Sequence, residues 1–125
     1  MVEISLETKQ GDIILLPFPF SDLTQTKVRP AIIISNDEFN KHSQDLLVCA
    51  ITSNITSDKY TLLLSTDDLC EGTIDNCAIK VETILKISKT LIIKKIAKSN
   101  KEVITQTIQI LNSLVNPSFS HKKSL

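Results

Sequence analysis

The sequence of 125 residues contains little glycine, few aromatic side chains and almost no arginine. Two glycines, four phenylalanines, one tyrosine and no tryptophan exclude a collagen-like repeat and a glycine-rich flexible chain. No apolar run reaches the roughly 18 residues that predict a membrane-spanning helix. The first fifteen residues also lack the charged-then-apolar order of a signal peptide. We therefore expect a cytoplasmic protein with no membrane partner.

Neither sign of charge is in excess, because 14 basic residues balance 14 acidic ones. This balance does not indicate a strongly basic nucleic-acid binder, although a local basic groove remains open. The three cysteines show no CxxC pairing and are odd in number, which argues against both a disulfide framework and a zinc site. We predict small buried or surface thiols, no metal and no cofactor.

The apolar residues make up 42% of the chain, and isoleucine, leucine, valine and threonine dominate, which favours strands packed by aliphatic side chains. Short apolar runs bounded by turn residues predict strands at 11–18, 29–35, 45–52, 60–65, 77–87 and 89–97. The polar stretches 19–28 and 66–76 are predicted to be a loop and a turn region pinned by Gly72. A single helical turn, begun by Asn36 or Asp37, is predicted within 36–44.

The C-terminal part of the chain has a different periodicity. Ser99 and Glu102 have the spacing of a capping box, and apolar residues then recur at helical spacing. We predict an amphipathic helix over 99–115 that covers the sheet, followed by a polar tail over 116–125. The whole pattern predicts a mainly β (α+β) fold, a small curled β-barrel of six or seven strands closed by a C-terminal helix, as a single domain over 1–115.

Arg29 is the only arginine in the chain, and the other thirteen basic residues are lysines. A guanidinium grips phosphate or carboxylate with two parallel N–H bonds, which lysine does not do. Pro30 forces the preceding residue into an extended conformation at the start of a strand. The alternative is an ordinary surface charge.

Two further places carry polar side chains on predicted strands. Thr52 and Ser53 end an apolar strand, where hydroxyls either bind a phosphate oxygen or satisfy a turn. Lys80 and Glu82 interrupt another strand on one face, which is either solvated or a cleft holding a carboxylate base beside a cation. His42 lies in a polar segment and is expected to be exposed.

These segments in order, "GDIILLPFPF … KVRPAIIIS … LLVCAITSN … CAIKVETILKI … TLIIKKIAKSNKEVITQTIQIL", resemble the MazF/PemK family of toxins from type II toxin–antitoxin modules. The resemblance runs from Gly11 to about Val115. It rests on the Gly-Asp opening strand, the Arg-Pro pair before an aliphatic strand, and the Thr-Ser pair that ends the next strand.

The resemblance implies an SH3-like barrel with a C-terminal helix, a homodimer, and a sequence-specific endoribonuclease that cuts single-stranded RNA without a metal. The implied reaction is 2′-hydroxyl attack, which gives a 2′,3′-cyclic phosphate and a 5′-hydroxyl. By matching motif positions, it implies that Arg29 stabilises the charged phosphorane and that Thr52 positions the scissile phosphate. Glu82 then takes the proton of the 2′-hydroxyl. A cognate antitoxin, whose disordered tail folds onto the toxin, is the implied protein partner.

The same resemblance implies the residues that bind substrate. Ser53 lies beside Thr52, and Lys80 falls where some relatives place an arginine as a second phosphate contact. Because the net charge is zero, the positive charge that binds RNA must be confined to one groove, and Lys27, Lys80 and Lys86 are expected to supply it. The loop "SDLTQTKVRP" departs from the family pattern, because it lacks the usual glycine and glutamate.

Two other functions remain open at this stage. Toxins of the related CcdB type share the barrel but bind DNA gyrase through residues near the end of the helix, in which case the C-terminal tail matters and Arg29 does not. The third possibility is a plain interaction barrel without toxicity.

Overall fold

A computed structural model describes residues 7–19 and 26–117. These residues form the strands β1 (Asp12–Pro19), β2 (Thr26–Ile33), β3 (Asp45–Thr52), β4 (Thr61–Leu64), β5 (Leu69–Gly72), β6 (Cys77–Ser88) and β7 (Lys94–Ser99). They also form the helices α1 (Asp37–His42) and α2 (Lys101–Val115), and short 3₁₀ turns at Thr66–Asp68 and Lys89–Leu91. Neither α1 nor α2 is long and apolar enough to cross a bilayer.

The strands form one antiparallel sheet in the order β4-β6-β3-β2-β1-β7-β5. Its two edges, β4 and β5, are consecutive in the chain and are joined only by residues 65–68. Such a short connection reaches at most about 18 Å, so the sheet must curl until its edges approach each other. The prediction of a mainly β, curled fold of six or seven strands with a C-terminal helix is confirmed. The seven strands form a half-barrel.

The sheet buries apolar side chains on both faces because of this curl. One cluster includes Ile13, Ile32 and Ile79 together with Val103 of α2. The cluster on the opposite face includes Ile14, Leu16, Ala31, Ile33 and Val48. The run 31–34 is buried on both faces, as its lack of alternation predicts.

Three predicted boundaries were wrong, two because pairing between strands overrode local sequence and one because a side chain caps a 3₁₀ turn. Residues 26–28, predicted as loop, extend β2 because they pair with β1. The "turn" 66–76 contains β5, which pairs with β7. The predicted strand 89–97 begins with a 3₁₀ turn, where the Ser88 hydroxyl accepts the Thr90 N–H, and β7 runs instead from Lys94 to Ser99. The rest of the predicted loop, residues 20–25, and the tail from residue 118 lie outside the described residues.

The helix starts follow side-chain caps. Asn36 caps α1 by accepting the Phe39 N–H, as predicted. The predicted capping box of Ser99 was wrong by one residue, because Ser99 belongs to β7 and Asn100 caps α2 by accepting the Val103 N–H. Helix α2 ends at Val115, as predicted.

Candidate active site

Arg29 of β2, Thr52 of β3 and Lys80 of β6 share one face of the sheet. Ala31 of β2 lies opposite Ala50 of β3, and Ala50 lies opposite Lys80 of β6. Directly opposed residues in antiparallel strands point to the same face, and side chains along a strand alternate. Arg29, two residues before Ala31, and Thr52, two residues after Ala50, therefore lie on the face of Lys80. The same register, continued by two residues, sets Arg29 opposite Thr52.

Strand β2 contributes two cations to this face. Arg29 lies opposite Leu16 of β1 and is partly buried, whereas Lys27 lies opposite Phe18 and is exposed. The extended backbone that Pro30 imposes on Arg29 continues into β2. The face therefore carries a partly shielded guanidinium with an exposed ammonium two residues before it.

Thr52 is the last residue of β3, and its hydroxyl has a local partner. The hydroxyl oxygen accepts the Asn54 N–H at 3.0 Å, which holds the chain in a turn as it leaves the strand. A hydroxyl has a hydrogen to donate besides the lone pairs that accept, so this geometry orients a donor at the end of β3. Ser53, the next residue, is exposed and lies beyond the strand.

Glu82 lies in a bulge of β6. Adjacent residues of β3, Cys49 and Ala50, face Ile84 and Lys80 of β6, so residues 81–83 have no partner on β3. The Lys80 ammonium and the Glu82 carboxylate are 3.7 Å apart, with 32% and 45% of their side chains exposed. Bulges often redirect side chains next to active sites, and here the bulge keeps a carboxylate beside a cation.

The bulge removes one predicted member of the basic groove. Without it, alternation would put Lys86 on the face of Lys80. Because three residues are inserted, Lys86 lies opposite Leu47 and points to the other face, where its ammonium pairs with Asp45 at 3.7 Å. The inclusion of Lys86 was therefore wrong, and Lys27 and Lys80 remain on the candidate face.

Sequence reasoning missed Asp58 and Thr61, which lie next to Lys80. Thr61 of β4 lies directly opposite Lys80. The Asp58 carboxylate accepts the Tyr60 N–H at 2.8 Å and the Thr61 hydroxyl at 3.0 Å. The pKa of Asp58 is lowered first by the Tyr60 hydrogen bond, then by that of Thr61, with a smaller contribution from the charge of Lys80. The only available signal was an aspartate two residues before the start of a strand, typical of a turn.

The histidine and the cysteines singled out in the sequence are the remaining titratable candidates. His42 is exposed on α1 and lies 3.4 Å from Glu38, as expected. Cys49 and Cys77 are buried free thiols and Cys70 is exposed, which confirms the prediction for the cysteines. Within the described ranges, no three His, Cys, Asp or Glu side chains converge as metal ligands.

Solved structures with this architecture place the chain in a class of small curled-sheet proteins with a C-terminal helix. The MazE-MazF complex (Form-II) of Deinococcus radiodurans matches with a TM-score of 0.75 at 16% identity, over 91% of this chain and 100% of that chain. An endoribonuclease of Mycobacterial species in complex with its cognate antitoxin matches with a TM-score of 0.71 at 14% identity, over 87% and 96%.

Sequence comparison narrows this class to one family. The model of the PemK-like, MazF-like toxins of type II toxin-antitoxin systems matches residues 9–115. The Endoribonuclease MazF of Staphylococcus epidermidis is 28% identical over 118 residues, which are 93% of this chain and 98% of that protein. The chain belongs to the PemK-like, MazF-like toxin family.

Proposed function

We propose that this toxin is an endoribonuclease that cleaves single-stranded RNA, including mRNA, without a metal. The observation that carries the proposal is the shared strand face, on which β2, β3 and β6 present a guanidinium, a hydroxyl, and a carboxylate beside an ammonium. These groups are those required to bind a phosphate and move a proton next to it. The similarity to the Staphylococcus epidermidis endoribonuclease supports the same activity.

In the proposed reaction, the ribose 2′-oxygen attacks the adjacent phosphorus as Glu82 takes the 2′-hydroxyl proton. The bond from phosphorus to the 5′-oxygen then breaks, leaving a 2′,3′-cyclic phosphate on one fragment. The departing 5′-oxygen takes a proton from solvent water and becomes a 5′-hydroxyl, and Glu82 later returns its proton to solvent. The substrate supplies its own nucleophile, so the step balances without a metal or a cofactor.

Arg29 stabilises the charge that develops on the phosphorane. A guanidinium holds its proton at every working pH, so electrostatic stabilisation rather than proton donation is its role. Thr52 donates its hydroxyl hydrogen to a phosphate oxygen, with Ser53 beside it. Lys80 and Lys27 bind the flanking phosphates as point charges.

The proposed assembly is a homodimer in the cytoplasm, held inactive by a cognate antitoxin. Support for the antitoxin comes from structures with the same fold, since the mycobacterial endoribonuclease is described in complex with its cognate antitoxin and the Deinococcus radiodurans structure is of MazE-MazF. Binding of DNA gyrase, as in CcdB-type toxins, has no such support from these relatives.

The test is to incubate purified protein with single-stranded RNAs of varied sequence in EDTA and to map the new ends. Fragments ending in 2′,3′-cyclic phosphate and beginning with 5′-hydroxyl are expected. RNA left intact across all sequences, together with inhibition of gyrase supercoiling by the same protein, would favour the gyrase alternative. Truncation of residues 116–125 separates the two functions, because it should abolish a gyrase effect, whereas RNA cleavage by the proposed mechanism should survive it.

A further inference from the structure

Strand β4 forms an edge of the sheet whose open side can be identified from one hydrogen bond. The Val81 N–H donates to the Tyr60 carbonyl at 3.1 Å, at the register that pairs Thr61 with Lys80 and Leu63 with Ala78. In antiparallel strands, hydrogen-bonded and non-hydrogen-bonded pairs alternate. The backbone groups of Thr61 and Leu63 therefore point away from β6, towards an edge that no other described strand covers. The Thr61 N–H donates to the Asp58 carbonyl at 3.4 Å, so Leu63 is the residue whose N–H and carbonyl face this edge.

The two edges of this sheet differ in how they are protected. Strand β5 has an irregular register between Leu69 and Glu71, and Glu71 carries a charge paired with Lys95 at 3.9 Å. Bulges and charges are the usual means of preventing further strand pairing. Strand β4, with the sequence "TLLL", has no charge, proline or bulge, and Leu63 is 63% exposed.

A recess of about 270 Å³ lies at the end of β4. Its apolar lining comes from Ile55, Leu63, Leu64 and Cys77. Ile55 is 45% exposed, so the side chains of Ile55 and Leu63 present solvent-facing apolar surface beside the outward backbone groups of Leu63. An added strand satisfies such an edge through main-chain hydrogen bonds and places alternate side chains in adjoining recesses.

The charges around this edge indicate which kind of partner strand can bind there, either a second copy of this chain or a segment of another protein. From Ser53 to Asn76 the only cation is Lys59, and the acidic residues are Asp58, Asp67, Asp68, Glu71 and Asp75. Lys80 of β6 lies opposite Thr61, and its charge is paired with Glu82. A second copy would bring the same carboxylates against this edge, and like charges that face each other across paired strands are destabilising, which disfavours a second copy.

We propose that β4 is a docking edge for an extended peptide segment of another protein, in which aliphatic residues alternate with lysine or arginine. The peptide adds an eighth strand beside β4, its main chain bonding the outward groups of Leu63. An aliphatic side chain enters the recess, and its basic residues lie near Asp67 and Asp68. This proposal does not depend on RNA cleavage.

The probe is a fluorescent synthetic decapeptide of alternating valine and lysine, compared with one in which glutamate replaces each lysine. The valine–lysine peptide should bind, with the valine–glutamate peptide about tenfold weaker or worse. Its binding should slow hydrogen exchange at the Leu63 amide. Equal binding of the two peptides, or no change at that amide, would overturn the proposal.

Leu63→Pro removes the N–H that points away from β6, so no hydrogen bond between β4 and β6 is lost. It should abolish peptide binding, whereas Leu63→Ala keeps the N–H and should weaken binding only partly. Asp67→Asn, at an exposed side chain, should weaken it severalfold and flatten its salt dependence. If all three variants bind as the parent does, the edge is not the docking site. If Leu63→Pro instead dissociates a homodimer, the occupant is a second copy and the proposal fails.

Discussion

Lys80 and Glu82 lie 3.7 Å apart on either side of Val81, which the β3–β6 pairing leaves without a partner. Both side chains are about one-third to one-half exposed. An ion pair this solvated adds only about 0–1 kcal/mol to stability. Removing the pair should therefore change stability little, so a loss of activity in a Glu82 variant can be measured separately from a loss of folding.

Glu82→Gln should lower RNA cleavage by roughly 10²–10⁴-fold, because the amide does not accept the 2′-hydroxyl proton. Slow cleavage assisted by Arg29 should remain. Single-turnover rates on a defined RNA measure the loss, and thermal unfolding should change little. The control is Glu38→Gln, an exposed carboxylate on α1, which should cleave at the parental rate. A Glu82→Gln protein that cleaves equally fast would remove this residue from the mechanism.

Arg29→Ala should lower cleavage by about 10²-fold or more, the scale expected when one stabiliser of developing charge is lost. Arg29→Lys should recover only part of this activity, because an ammonium lacks the planar fork. The rates should be compared only between variants whose melting temperatures match that of the parent, so that a lost fold is not counted as lost chemistry. Full activity in Arg29→Lys would show that charge alone suffices.

Gly72→Ala should destabilise the fold by roughly 1–3 kcal/mol. The residue has φ +82°, and an added Cβ would lie 2.4 Å from the Ile96 carbonyl oxygen. Urea unfolding measures the change. Gly11→Ala is the comparison, because its φ is +95° but its Cβ would meet the Ser99 hydroxyl at 3.1 Å, and it should cost less. Equal losses at the two sites would mean that the contact with Ile96 is unimportant.

Asn40→Ala should lower the free energy of unfolding by about 1–3 kcal/mol. Asn40 is 1% exposed; its amide donates to the Ser35 carbonyl and its oxygen accepts the Ser35 hydroxyl. The alanine would leave both Ser35 groups without these partners. Lys41→Ala, one residue along on an exposed position, should change stability by less than about 0.5 kcal/mol. Chemical denaturation of both variants provides the comparison.

Burial raises the pKa of Cys49 from 9.0 to about 12, and burial with the nearby charge of Asp75 raises that of Cys77 to about 11. A thiolate is the reactive form, so a thiol reagent at pH 8 should label exposed Cys70 in the native protein and all three cysteines in denaturant. Unfolded thiols ionise near pH 9 whereas the folded ones keep their protons, so stability should fall as pH rises above 9. Cys49→Ala together with Cys77→Ala should reduce that fall, and an unchanged slope would contradict this account.

The sequence alone predicted most of the strands because each is a short apolar run between turn residues. It did not predict β5, since "LCEG" contains a charge and a glycine and is a strand only by pairing with β7. It also placed Thr26–Val28 in a loop, although these residues pair with β1. Pairing partners distant in the chain decided both cases.

For the candidate site, the sequence determined which groups are present and the ends of strands on which they lie. Arg29 precedes a proline, and Thr52 ends an apolar run. Only the tertiary structure decided which of them share a face. Alternation along a continuous strand would put Lys80 and Lys86 on the same side, but the bulge at residues 81–83 separates them. A bulge arises where one of two paired strands has extra residues. The sequence of one strand alone does not show at which residue its partner lacks a matching position.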